Sequence, residues 1–285
     1  MFLLIFFILF ILFLFYFEYT DMFRYFQILD RQDINFYDNK YINLPNCSTR
    51  TVITLTTIPS RIDKIKPTLI SLLDQSMKVD KIYLNIPYFS LKGEEYIIPE
   101  WLTKLHNITI NRVEKDYGPA TKLLPILNKE KLDNPKIIVV DDDVIYGSRM
   151  VENYIKNFNG NPMTIFGADI ENGKLKDDLP TYLRYRGPKR VDVLMGHNSF
   201  LVTADMFSSD VFDYSKAPKE CVFVDDIWFS FHLKKKIYSL GFNYKNIPIS
   251  SINESGISLC STMNSDNKNN EIAIQYFQSE HLFSP

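Results

Sequence analysis

The run Ile137-Ile138-Val139-Val140, which ends without a break in Asp141-Asp142-Asp143, constrains the fold of this chain more than any other stretch. Four consecutive β-branched apolar residues with no polar alternation read as a strand covered on both faces, and such a strand needs helices above and below its sheet. The three carboxylates that follow repel one another. At the end of a buried strand they are costly unless water or a cation neutralises them, and hard divalent ions such as Mg²⁺ and Mn²⁺ favour oxygen ligands. The run therefore points to a metal ion at a strand end, against the simpler reading of a solvated turn.

Neighbouring segments extend the pattern. Thr51 to Leu55 is a β-prone run closed by Thr56-Thr57-Ile58-Pro59, and beyond Pro67 the residues Leu69, Ile70, Leu72 and Leu73 recur at helical spacing. Lys81 to Ile86 and Ile108 to Arg112 read as strands, Pro119 to Asn128 as a helix behind the turn Tyr117-Gly118-Pro119, and Lys136 to Val140 as a fourth strand. Further on, a helix is expected to about Phe158, strands near Met163 to Phe166 and Val191 to Val202, a helix from about Asp226 to Lys236, and a polar loop from Asn264 to Glu271. Strands alternating with crossovers predict an α/β class with a mostly parallel central sheet flanked by helices, a Rossmann-like layout. Ligands in such sheets bind beyond the carboxyl ends of strands, so the residues just after Leu55, Arg112 and Val140 are the places to look for chemistry.

Met1 to Phe17 carries no charge and is almost entirely Leu, Ile and Phe. As a helix it would reach about 26 Å, close to the hydrocarbon core of a thin bilayer, about 27 Å. The sequence Phe15 to Thr20 lacks the small residues of a signal-peptide cleavage site. These features predict one N-terminal transmembrane helix over residues 1–17 as an uncleaved signal anchor, a stem over 18–46 and a catalytic domain over 47–285. No Lys or Arg precedes the run, so flanking charge does not set the orientation. Asn-x-Ser/Thr sites at Asn46, Asn107 and Asn253 favour a luminal body, hence a single-pass membrane protein of the ER or Golgi. With 32 basic against 34 acidic residues there is no positive field to drive nucleic-acid binding. Cys47, Cys221 and Cys260 are odd in number and show no zinc-site spacing.

A second acidic pair, Asp225-Asp226, lies in Phe223-Val224-Asp225-Asp226-Ile227-Trp228 at an expected helix start. Carboxylates there suit the helix dipole, so simple capping is one reading, above all for Asp225. If Asp226 faces a pocket, it can accept the proton of an attacking hydroxyl as a general base. Metal-phosphate chemistry of the haloacid-dehalogenase kind also uses a strand ending in Asp-x-Asp, but it expects Thr where this chain continues Asp143-Val144-Ile145. No Walker-type phosphate loop is present either.

Four segments in order, Thr54-Leu55-Thr56-Thr57-Ile58-Pro59-Ser60-Arg61, Asp116-Tyr117-Gly118-Pro119-Ala120-Thr121-Lys122, Asp141-Asp142-Asp143 and Val224-Asp225-Asp226-Ile227-Trp228, resemble the nucleotide-sugar glycosyltransferases of the A-type fold, particularly the inverting family-2-like group. The resemblance implies that Thr56, Thr57 and Arg61 lie by the base and ribose, and that Asp116 and Lys122 contact the nucleotide or diphosphate. It also implies that Asp141 touches ribose and the metal, Asp142 belongs to the donor pocket, and Asp143 coordinates Mn²⁺ or Mg²⁺. A late histidine, His281, is the candidate to complete the metal shell, and His197 and Asn198 in Gly196-His197-Asn198-Ser199 would line the sugar or acceptor site. Asp226 matches the family's acidic base, while Asp225 stands where the family has Glu and presents a shorter carboxylate. The implied reaction moves a sugar from a nucleoside-diphosphate donor to a hydroxyl of a glycan, protein or lipid, with inversion. A membrane-tethered glycan-binding protein without turnover and a metal-dependent phosphohydrolase are the rival readings.

Overall fold

A computed structural model describes residues 2–19, 21–31, 33–176, 188–240 and 267–280, with the backbone alone for 2–4, 17–19, 31, 197 and 198. Three helices come first, α1 (Phe2–Tyr19), α2 (Met22–Arg31) and α3 (Ile34–Tyr41). Then follow β1 (Thr51–Thr56), α4 (Lys66–Leu73), β2 (Lys81–Pro87), α5 (Glu100–Thr103) and β3 (Ile108–Val113). A 3-10 turn, Gly118–Lys122, leads into α6 (Leu124–Lys129), β4 (Lys136–Val139) and α7 (Met150–Asn157). The second half holds β5 (Met163–Ala168), a small hairpin of β6 (Ile170–Glu171) and β7 (Lys174–Leu175), β8 (Lys189–Val191) and β9 (Val193–Val202). It closes with α8 (Asp225–His232), β10 (Ile237–Ser239) and α9 (Lys268–Ser279).

The main sheet has eight strands in the order β3-β2-β1-β4-β9-β5-β10-β8. Its β3-β2-β1-β4 half is parallel throughout. The other half is not: β9 runs antiparallel to both β4 and β5, β10 is parallel to β5, and β8 is antiparallel to β10. The sheet is therefore mixed rather than mostly parallel. The cause is local: β9 is inserted between β4 and β5 and runs against both, so its carbonyl and amide groups complete each neighbour in the reverse sense.

The apolar run behaves as its composition demands. Ile138 and Val140 join one buried cluster with residues of α2, α3, α4 and α7, while Ile137 and Val139 face the opposite cluster with residues of α6, α8 and α9. All four are fully buried. At roughly 1.5–3 kcal/mol per buried aliphatic side chain, this strand anchors both layers, and a charge at Val139 would break one of them.

Within residues 18–46, expected as a stem, α2 and α3 pack on the body. Ile28, Ile34, Tyr37 and Tyr41 are buried in the same cluster as Leu69 and Ile70 of α4. The Asp38 carboxylate accepts hydrogen bonds from the backbone N–H groups of His106 (2.8 Å) and Asn107 (3.0 Å).

No helix among the described residues is long and apolar enough to cross a membrane. That overturns the anchor expected over 1–17, and with it the single-pass ER or Golgi placement. The physical reason is length. A bilayer core of roughly 30 Å takes about 20 apolar residues. Helix α1 has 18 residues, Phe2–Tyr19, with Glu18 in its last turn, which falls short of that length.

Two other boundaries differ from expectation. The helix expected to Lys236 ends at His232, because the Lys234 N–H leaves the helix to bond Met206 O. The polar stretch expected as a loop becomes helix from Lys268, since Ala273, Ile274 and Phe277 form a buried stripe.

Candidate active site

Because β1 and β4 pair in parallel, their carboxyl ends lie on one edge of the sheet. The loop after β1 meets the loop after β4 there. Thr57 Oγ1 donates to Asp142 Oδ2 at 2.5 Å, and Arg61 Nη1 reaches Asp142 Oδ1 at 3.0 Å and Asp143 Oδ2 at 3.2 Å. Asp142 is buried, and its backbone carbonyl accepts the Thr68 hydroxyl of α4 at 2.8 Å. Burial pushes its carboxyl upward against the opposing pull of Arg61 and Thr57. Asp143 is raised to about 6, by burial first and then by Asp142 and Asp141.

The third carboxylate of the triplet turns elsewhere. Asp141 Oδ1 accepts Lys122 Nζ at 2.6 Å, and the same ammonium pairs with Asp225 Oδ2 at 2.9 Å. Lys122 ends the 3-10 turn that begins at Gly118, whose φ of +62° suits glycine. Two buried side chains pin that turn: Thr54 Oγ1 donates to Lys122 O at 2.6 Å and Asn85 Nδ2 to the same oxygen at 3.2 Å. Burial alone would lower the Lys122 pKa, but Asp141, Asp225 and Asp226 outweigh it and hold the ammonium charged.

Asp225 and Asp226 form the first turn of α8, and no side chain caps that helix. Capping therefore does not occupy Asp225, which pairs with Lys122. Asp226 lies against β9 at Gly196, where an added Cβ would overlap Asp226 Oδ1. Its carboxyl is pushed up to about 8, first by burial and then by Asp225, with the Gly196 backbone N–H acting in the opposite direction. Asp225 is raised by burial and opposed by Lys122.

Residues distant in sequence thus meet at one edge: Thr57 and Arg61, Lys122, Asp141 to Asp143, and Asp225 with Asp226. Thr56 stands apart, its hydroxyl donating to Asn85 O at 2.8 Å. Asp116 organises the loops. Its Oδ1 accepts Gly118 N at 2.8 Å and Thr121 Oγ1 at 3.0 Å, and its Oδ2 accepts Leu91 N at 2.8 Å. His197 and Asn198 lie in β9, with their side chains outside the described atoms, and His281 lies outside the described residues. Gly196, Thr54, Asn85 and Thr68 carry supporting contacts that the motifs did not assign. A lone glycine inside a strand pattern and a buried Asn in an apolar strand were their visible signals.

Four carboxylates, Asp141, Asp142, Asp143 and Asp225, here share two cationic side chains, Arg61 and Lys122, with Asp226 close by. That excess of negative charge suits a further cation. Among the described residues no group of three side-chain ligands forms a metal site. A Mg²⁺-like ion takes one or two carboxylates and completes its shell with substrate phosphate and water. Asp143 and Asp141, both partly exposed, fit that demand.

No protein-family model and no curated protein matches the chain. Among solved structures it is similar to the glycosyltransferase TarS of S. aureus, residues 1–349 in complex with UDP, at 12% identity and a TM-score of 0.42, over 67% of this chain and 58% of that one. The same TarS fragment without UDP matches at 11% identity and a TM-score of 0.39, over 67% and 60%. A Bacillus anthracis protein described as a glucose-1-phosphate thymidylyltransferase, in complex with sucrose, matches at 16% identity and a TM-score of 0.32, over 59% and 76%. The matched part thus spans under two thirds of the TarS fragment.

Proposed function

We propose that this chain is a glycosyltransferase that moves a sugar from a nucleoside diphosphate to a hydroxyl of a glycan, protein or lipid, with inversion at the anomeric carbon. One observation carries the reading. Asp141 at the end of β4 and Asp225 at the start of α8 meet on the single ammonium of Lys122, with Asp226 beside it. Such a transfer breaks the bond from the anomeric carbon to the diphosphate oxygen, forms one to the acceptor oxygen, and frees the acceptor's proton. It needs a base for the hydroxyl and positive charge for the departing diphosphate.

Asp226 is the base. A carboxyl raised to about 8 is basic enough to take a proton near neutral pH, which an ordinary carboxylate does poorly. Lys122 holds Asp141 and Asp225 in place through short ion pairs. It is committed to those two carboxylates, so its role toward the diphosphate is through Asp141. Arg61 and Thr57 fix the triplet's backbone by holding Asp142 and orient Asp143 outward. A Mn²⁺ or Mg²⁺ ion, held by Asp143 with Asp141, would supply charge to offset that developing on the diphosphate.

The test incubates the full chain with a panel of nucleotide sugars, Mn²⁺ and simple glycoside acceptors. Nucleoside diphosphate release matched by glycosylated acceptor is the expected result. Release of inorganic phosphate without sugar transfer would favour the phosphohydrolase reading, and no turnover with any donor would contradict an enzyme.

A further inference from the structure

We infer that Arg24 and Asp21, in the segment preceding the sheet, are positioning residues that brace the loop carrying Asp141 to Asp143. The role as positioning residues rests on the reaction proposed above, whereas the brace itself rests on contacts alone. All five guanidinium N–H donors of Arg24 have acceptors. Nε reaches Asp74 Oδ2 at 2.8 Å, Nη1 reaches Tyr146 O at 2.6 Å and Asp21 Oδ2 at 3.4 Å, and Nη2 reaches Ser71 O and Asp74 O, each at 3.1 Å. The side chain is only 11% exposed. Three of these acceptors are backbone carbonyls, a pattern that a planar fork of donors satisfies and a point-charge lysine does not.

The oxygen gripped most tightly belongs to Tyr146, which leads directly to the acid triplet. The Tyr146 hydroxyl accepts the Asp141 N–H at 2.7 Å, and the Tyr146 N–H donates to Ser71 Oγ at 3.0 Å. Tyr146 is fully buried, so a shift of its backbone is transmitted rather than absorbed. Asp21 adds a second hold, since its Oδ2 accepts the Ser148 N–H at 3.2 Å while its own backbone sits at φ +61°. A non-glycine residue in the left-handed region costs of order 1 kcal/mol or more and persists where its surroundings over-determine it. The remaining supports come from α4 and its end: Thr68 to Asp142 O at 2.8 Å and Gln75 Nε2 to Gly147 O at 2.9 Å. The loop 141–148 is therefore clamped between α4 and a helix more than a hundred residues earlier in sequence.

The experiment compares the full chain with its Arg24→Lys, Arg24→Gln and Asp21→Ala variants by amide hydrogen exchange, with β5 (163–168) as the internal control. The expected result is about tenfold faster exchange over 141–148 in each variant, with β5 unchanged. Donor turnover is measured in parallel, where kcat should fall roughly ten- to a hundredfold, least for Arg24→Lys, while KM for the acceptor stays put. Unchanged exchange over 141–148 in all three variants overturns the brace, whatever the turnover. Faster exchange with unchanged kcat overturns the positioning role. If the wild type transfers no sugar, the glycosyltransferase reading fails separately, and the exchange still decides whether the brace exists. Should Arg24→Gln fail to fold, Asp21→Ala decides alone, since it leaves four of the five guanidinium bonds intact.

Discussion

Asp142, which is buried, and Asp226, which is partly exposed, lie at the same edge of one sheet, yet they are held in different ways. Each oxygen of Asp142 has its own donor, Thr57 on one and Arg61 on the other. Asp226 has the Gly196 N–H and, close by, the like charge of Asp225. The first is hydrogen-bonded at both oxygens, although burial still raises its pKa. The second is held near neutrality in its proton affinity, with the ammonium that would relieve it already paired to Asp141 and Asp225. In the proposed reaction the difference separates a residue that fixes a loop from one that moves a proton, although both sit in acidic motifs that look alike in sequence.

Substitution at Asp226 should give the largest effect. Asp226→Asn keeps the shape and removes the base, and turnover should drop about a thousandfold, measured as nucleoside diphosphate release, with the melting temperature unchanged or raised. Gly196→Ala is next: its Cβ would overlap Asp226 Oδ1, and a displaced base should cost about a hundredfold in kcat with little change in donor affinity. Asp142→Asn should chiefly cost stability, about 2 kcal/mol by chemical denaturation, because Arg61 loses a charged partner. Thr57→Val removes one hydrogen bond and should cost about 1 kcal/mol, with turnover within severalfold of wild type. An active Asp226→Asn beside an inactive but folded Asp142→Asn would reverse the comparison.

The parallel half of the sheet was legible because its strands are self-announcing. Ile137 to Val140 could be read as two-faced from composition alone, and Thr51 to Leu55 and Lys81 to Ile86 came from β-prone runs bounded by turn residues. The mixed half was less so, because strand direction is set by partners rather than by local pattern, and nothing within Val193 to Val202 says that it runs against β4. The pairing of Lys122 with both Asp141 and Asp225 was likewise hidden. It joins three segments through a long-range contact, and the same lysine on an isolated helix would simply be solvated. The apolar run Met1 to Phe17 shows the reverse failure, since composition suggested a span, whereas no described helix is long and apolar enough to cross a membrane.

The sign of the proton chemistry follows from the raised carboxyl. An acid whose folded pKa lies above its unfolded value, about 4, destabilises the fold as it ionises, so that contribution is lost as pH rises toward about 8. Asp226→Asn should flatten that decline in a pH series of thermal melts. Catalysis runs the other way, because only the ionised base accepts a proton.

The most direct test is therefore the pH dependence of kcat/KM in the wild-type chain. The rate should climb about tenfold per unit below an apparent pKa near 8 and level off above it. A profile that is flat from pH 5 to 9, or that falls across this range, would contradict Asp226 as the base.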